Sequence, residues 1–129
     1  MELTAERVSQ VLDQAHTKAK ELGLNITIAV VDETGKRRGL LSMEKSRFTT
    51  IEIAEGKALA CAGVQKPTAE VVDRASRPVF MFQMIHDKFI FAQGGVPILE
   101  NGEFVGGCGV SGGNSPQDDE DIAYAGVAT

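Results

Sequence analysis

Residues 94–113 read GGVPILENGEFVGGCGVSGG, and this stretch decides the fold. Two short apolar runs, Val96–Leu99 and Phe104–Val110, flank Asn101-Gly102, two residues that tolerate positive φ. The pattern predicts a β-hairpin. Glycine weakens a strand because it costs backbone entropy and offers no side chain for packing. So many glycines therefore predict that a helix, a neighbouring chain or a ligand approaches this backbone closely, or that the loops at its ends need unusual dihedral angles.

The bulk composition is that of one globular domain spanning residues 1–129. The chain is 43% hydrophobic and 24% charged, which is ordinary for a protein with a single buried core. Its net charge of −5 argues against nucleic acid or an anionic membrane as the main partner, because both require basic patches.

Signals for membrane insertion, export and metal binding are missing from the pattern. No apolar run reaches the roughly 18 residues of a transmembrane helix. The segment Met1–Arg7 does not read as the start of a signal peptide. Cys61 and Cys108 lack the spacing of a metal-binding pair. We therefore expect a cytoplasmic protein with reduced thiols and no metal site.

Two longer helices are expected ahead of the hairpin. The first begins at a Thr4 cap and ends near Gly23, with apolar residues at three- and four-residue spacing. The second covers about Thr49–Ala62, and its stripe is mostly small side chains. Small residues let a helix lie close to its neighbour, so the glycine-rich hairpin is the natural counterpart of the second helix.

Two further helix starts follow from proline positions. Pro67-Thr68 begins a shorter helix that reaches about Arg74. Ser115-Pro116 begins the final helix, over roughly Gln117–Ala125, with Asp118 able to reach back as in a capping box.

The strand signals complete the architecture. Ile26–Val31 does not alternate strictly, which predicts a central strand covered on both faces, and Leu40–Met43 is its hairpin partner. We place another strand near Phe89–Ala92 and leave residues 78–88 open. The sum is an α+β sandwich with a mainly antiparallel sheet of about five strands.

Three motifs in the glycine-rich stretch have ordinary explanations. Gly107, Gly109 and Gly112 match G-x-G-x-x-G, but the βαβ units and acidic residue of a dinucleotide fold do not follow. Ser111 matches G-x-S-x-G, yet no histidine follows it to act as the base. A phosphate at the final helix would meet the carboxylates of residues 118–121, so a self-capped helix start is the preferred interpretation.

Histidines and helix charges supply the remaining candidates. His16 lies at the edge of the first helix's apolar stripe, and His86 lies among phenylalanine and methionine. Either could ligate a haem iron, as could a thiolate, a methionine or Tyr124, and either could be a hydrogen-bonded core-edge residue. Glu52, Glu55 and Lys57 are solvated helix charges or face a cleft or subunit contact.

With these residues in view, the sequence resembles the GlcG/HbpS-like family, which also occurs as the C-terminal domain of PduO-type proteins. The resemblance covers nearly the whole chain in the family's order. Its matching segments are residues 28–35, 51–58, 67–68, 94–98 and 105–113, with Gln117-Asp118 and Ala123–Gly126. It implies a profilin-like α/β/α architecture and a homo-oligomer.

The resemblance also implies a function and a site. Family members bind or degrade haem, or accompany operons for glycolate, diol or aromatic catabolism. We therefore expect an accessory protein that binds a small molecule, with haem or a tetrapyrrole as the best candidate. His16 and His86 are candidate haem ligands because of their apolar surroundings, and not because they match a family motif. The expected ligand-binding residues are Lys57, Gly94, Gly95, Ser111, Gly112 and Gly113.

Two other functions stay open on the sequence. One is an enzyme acting on a small catabolic intermediate, with Glu55, Lys57 and Asp118 as catalytic candidates in a cleft between subunits. The other is a purely structural oligomeric scaffold, which predicts no concave pocket.

Overall fold

A four-stranded antiparallel sheet forms the centre of the structure, a computed structural model that describes residues 1–77 and 88–129. Its strands are β1 (Thr27–Asp32), β2 (Arg37–Ser42), β3 (Gly95–Glu100) and β4 (Glu103–Ser111). They lie in the order β2-β1-β4-β3. The α+β class and the antiparallel sheet are confirmed, with four strands in the described residues where about five were expected.

In the described residues, three α-helices cover the sheet: α1 (Ala5–Glu21), α2 (Thr49–Val64) and α3 (Pro116–Val127). The helix expected after Pro67 is two short 3₁₀ helices, Thr68–Glu70 and Val72–Ser76. Within the described ranges, no helix is long and apolar enough to cross a membrane.

Strand β1 is buried on both faces, as its lack of alternation predicts. Ile28 and Val30 point to one side, into the cluster formed with α1 and α3. Ala29 and Val31 point to the other side, against α2. The result is a three-layer α/β/α sandwich with its larger apolar core under α1 and α3.

The glycine-rich stretch forms the predicted hairpin. Asn101 and Gly102 have φ of +52° and +81°, the positive values of a tight two-residue turn. On strand β4, a Cβ at Gly107 would lie 2.7 Å from the carbonyl oxygen of Ala58, and one at Gly109 would lie 2.6 Å from the Ala58 nitrogen. Helix α2 therefore presses directly on the bare backbone of β4.

Both predicted N-terminal helix caps are present. The Thr4 hydroxyl accepts from the Arg7 N–H at 3.1 Å, and the Ser115 hydroxyl accepts from the Asp118 N–H at 3.2 Å. The Asp118 carboxylate reaches back one residue further than a standard capping box, to the N–H of Asn114.

The prediction of a strand near Phe89–Ala92 is wrong. This segment has no strand structure, and the Ile90 N–H donates to the Gly56 carbonyl of α2 at 3.0 Å. Phe91 packs with Ala60 and Val71 on the side of α2 away from the sheet. The apolar residues that signalled a strand cover a helix that is apolar on nearly all sides. Of residues 78–88, left open above, only Lys88 is described.

Candidate functional site

A buried ion pair joins α2 to α3 at one end of the sheet. The Lys57 ammonium donates to the Asp119 carboxylate and to the Val110 carbonyl, both at 2.9 Å. Lys57 is 4% exposed and Asp119 is 7% exposed. The other oxygen of Asp119 accepts from the Gly113 N–H at 2.8 Å. Because each charge has hydrogen-bonded partners, the pair can be buried and can hold the loop after β4 in place.

Two of the predicted ligand-binding glycines, Gly94 and Gly95, have structural roles near this ion pair. Gly94 has φ of +128°, and a Cβ there would lie 2.8 Å from the Lys57 ammonium nitrogen. The Gly95 N–H donates to the Thr68 hydroxyl at 2.8 Å. Gly94 therefore leaves room for the lysine, and Gly95 is tied to the segment after α2.

The other three predicted ligand-binding residues line a cavity. This cavity, which we call the loop cavity, has a volume of about 740 Å³. Ser111, Gly112 and Gly113 form one wall, and residues 45–50 at the start of α2 form the opposite wall. Neither Lys57 nor the two glycines at the start of β3 are among its lining residues, although Asp119 is. The predicted binding set is thus divided between an interior ion pair and an open cavity, and its role in binding stays a prediction.

A smaller cavity of about 250 Å³ lies between β2, α2 and residues 88–90. Its apolar lining is Ile51, Leu59 and Ile90, and Glu55 stands at its rim in an ion pair with Arg37. The hydrogen bond to the Glu55 carboxylate raises the pKa of the Arg37 guanidinium. Charged side chains make up the rest of its described lining together with Gly56, so the cavity has mixed polar and apolar walls.

The three catalytic candidates do not meet within one chain. Glu55 binds Arg37, Lys57 binds Asp119, and Asp118 accepts from the Asn114 N–H. General acid–base catalysis needs groups that converge on one substrate atom. The cleft between subunits that was expected to gather them stays a prediction.

Only one of the two candidate histidines, His16, lies in the described residues. His16 lies half-buried on α1 and lines neither of the two cavities described above. His86 lies outside the described residues. Across residues 1–77 and 88–129, no group of three or more histidine, cysteine and acidic side chains could hold a metal ion.

Two buried charged residues were missed by the reasoning from sequence. Asp119, one position from the chosen Asp118, lies three, four and seven residues before Ile122, Ala123 and Gly126, which are all buried. That helical spacing could have identified it. Arg7 is 7% exposed, lies 2.8 Å from Glu100 and donates to the Val127 carbonyl at 2.6 Å. Arg7 lies four and eight residues before the buried Val11 and Ala15, so the same helical spacing could have identified it.

Comparison with known proteins gives a family match over almost the entire chain. The family described as "Haem degrading protein HbpS-like" matches residues 3–128. The chain is also 26% identical over 131 aligned positions to the corrinoid adenosyltransferase PduO of Citrobacter freundii. That alignment includes 99% of the chain and 39% of PduO, so the chain spans about two fifths of that relative.

Two solved structures have the same fold. HbpS of Streptomyces reticuli, crystallised as a double mutant, superimposes with a TM-score of 0.87 at 29% identity, over 98% of this chain and 86% of HbpS. The structure named as the PduOC:heme complex gives a TM-score of 0.87 at 24% identity, over 98% of this chain and 94% of PduOC.

Proposed function

Because the chain belongs to the family of HbpS-like haem-degrading proteins, we propose that it binds haem or a related tetrapyrrole as an accessory protein. The family match over residues 3–128 is the observation that carries this proposal. The named ligands of two relatives, heme for PduOC and a corrinoid for PduO, are both large tetrapyrrole-type macrocycles and support it. The setting in a catabolic pathway and the homo-oligomer are extended from the family resemblance, and the cytoplasmic location is the expectation from the sequence pattern.

The ligand chemistry of the described residues favours His16 as the iron ligand. Proteins bind haem iron through histidine, thiolate, methionine or tyrosine. Burial raises the pKa of the Cys108 thiol to about 12 and also raises the pKa of the Cys61 thiol, so neither is a thiolate at neutral pH. Burial raises the pKa of the Tyr124 phenol as well. Met43 is buried in the core.

His16 would bind haem at the surface of α1 rather than inside either cavity. Among the described residues that line the loop cavity and the smaller cavity, there is no histidine, cysteine, methionine or tyrosine. When bound, haem iron could supply redox or oxygen chemistry. The part of this chain would be to hold the iron through the His16 imidazole. His86 is the alternative ligand and stays a prediction.

Hemin titration of four proteins tests the proposal. The wild-type chain should shift the Soret band of hemin, and His16→Ala should weaken binding by about tenfold or more, because one coordinate bond is lost. His86→Ala tests the alternative ligand, and Lys20→Ala, on the exposed side of the same helix, is the matched control. A wild-type chain that leaves the hemin spectrum unchanged would remove the proposal. Equal binding by wild type and both histidine variants would remove the ligand assignment.

The other two functions have less support. A purely structural scaffold predicts no concave pocket, whereas the described residues surround cavities of about 740 and 250 Å³. An enzyme needs convergent polar groups, and the candidates Glu55, Lys57 and Asp118 have separate partners within the chain.

A further inference from the structure

A serine with an unpartnered hydroxyl lines the loop cavity. Ser111 is 6% exposed as a residue, and its hydroxyl makes no hydrogen bond to any described residue. The neighbouring hydroxyl of Thr50 differs, since it bonds both Thr27 and the Arg47 carbonyl. The Ser111 oxygen is not among the buried polar atoms without a partner, so it is open to the cavity and available to a molecule there.

The charges that face the cavity favour an anion. Its charged lining residues are Lys45, Arg47 and Asp119. Lys45 and Arg47 are exposed and form no ion pair with the described residues. Asp119 is already neutralised from behind by Lys57 at 2.9 Å. Two cations thus remain without a counter-charge at the rim.

The starts of two helices add further positive charge at the loop cavity. Thr49 and Thr50 belong to the first turn of α2, which has no side-chain cap, and Ser115 and Pro116 begin α3. The start of a helix carries partial positive charge. The sequence argued against an anion here because four carboxylates follow Ser115, but only Asp119 of these lines the cavity. The Asp118 carboxylate accepts from the Asn114 N–H and is not among the lining residues.

We propose that the loop cavity binds a small anion through its carboxylate or phosphate group. The Ser111 hydroxyl donates a hydrogen bond to the anion, and Lys45 and Arg47 pair with its charge. The cavity volume of about 740 Å³ leaves room for an organic anion with further hydroxyl groups, which the polar walls can bind. This site is separate from the surface of α1 that carries His16, and it does not depend on haem binding.

Thermal melting of the full chain at constant ionic strength tests the site. The probes are inorganic phosphate and glycolate, with glycerol as the neutral control and sodium chloride to balance the salt. Phosphate, glycolate or both should raise the melting temperature with a saturable dose dependence, and glycerol should not. The response to each anion separately identifies which group the cavity prefers.

Three variants locate the effect. Ser111→Ala and Arg47→Gln should each weaken the apparent affinity about fivefold to tenfold, because each removes one polar contact to the anion. Lys20→Gln removes an exposed cation from α1 and should leave the affinity unchanged. Hemin binding by Arg47→Gln should match that of the wild type, which separates this test from the haem proposal. Absence of any saturable shift, or equal shifts in Arg47→Gln and the wild type, would overturn the anion site.

Discussion

Lys57 shows how one side chain can join several elements. It projects from α2, donates a hydrogen bond to the Val110 carbonyl near the end of β4, and pairs with Asp119 of α3. Gly94 gives it room at the start of β3. A buried charge is costly unless its hydrogen-bonding capacity is used. The value of this lysine therefore lies in fixing the geometry of the loop after β4, which walls the loop cavity.

Substitution of Lys57 by methionine should strongly destabilise the fold. The Asp119 carboxylate would remain buried without its ammonium partner, and the expected loss in unfolding free energy is about 3–5 kcal/mol. Urea denaturation measures it. Arg37→Gln, which breaks the exposed Arg37–Glu55 pair, should cost less than about 1 kcal/mol. The double variant Lys57→Met with Asp119→Leu should regain part of the loss. Equal small losses for both single variants would contradict the role given to Lys57.

Single residues were the part of the site least accessible from sequence. The sequence reasoning groups Lys57 with Glu55 and Asp118 in a cleft between subunits, whereas its ion-pair partner within the chain is Asp119. The true partner is 62 positions away in the chain. A contact of that separation depends on how α3 returns over the sheet, which no local pattern encodes. Asp119 could have been preferred to Asp118 from its helical phase alone.

Close packing of α2 on β4 is the main contact between elements. Glycine at positions 107 and 109 of the strand faces Ala54 and Ala58 of the helix. Because the strand has no side chains at these two positions and the helix has only methyl groups, the two backbones come nearly into contact. The close approach brings the carbonyl of Val110 within reach of the Lys57 side chain.

Gly109→Ala should test this packing. Its added Cβ would lie 2.6 Å from the Ala58 nitrogen, so the helix must shift, at a cost of about 1–3 kcal/mol or more. Gly102→Ala is the matched control in the same hairpin. It has φ of +81° and no heavy atom within 4 Å of an added Cβ, so its cost arises from the backbone alone and should be about 1 kcal/mol. Chemical denaturation in which Gly102→Ala loses more unfolding free energy than Gly109→Ala would refute the packing argument.

Elements with local signals were predictable, and those without them were not. The Thr4 cap and apolar spacing identified α1, and Asn101-Gly102 identified the hairpin, because each signal acts over a few residues. Phe89–Ala92 has the composition of a strand but packs on α2. Its hydrophobic residues report burial, and burial against a helix gives the same pattern as burial in a sheet.

At the scale of the molecule, the sandwich separates two surfaces with different chemistry. The face of α1 carries His16, and the end of the sheet carries the loop cavity with its cations and unpartnered hydroxyl. The overall architecture followed from the order of helices and strands together with the family resemblance. The cavity did not, because its walls come from residues 23–25, 45–47, 49–50, 53, 111–116 and 119, which are distant in sequence.

Size-exclusion chromatography of the hemin-mixed chain tests the central claim most directly. Absorbance at 280 nm and in the Soret band, recorded with light scattering, reports bound haem and molar mass in one run. The account predicts that Soret absorbance co-elutes with a homo-oligomer, whose mass is at least twice the 13.8 kDa of one chain. A single peak at 13.8 kDa with no co-eluting Soret absorbance would contradict it.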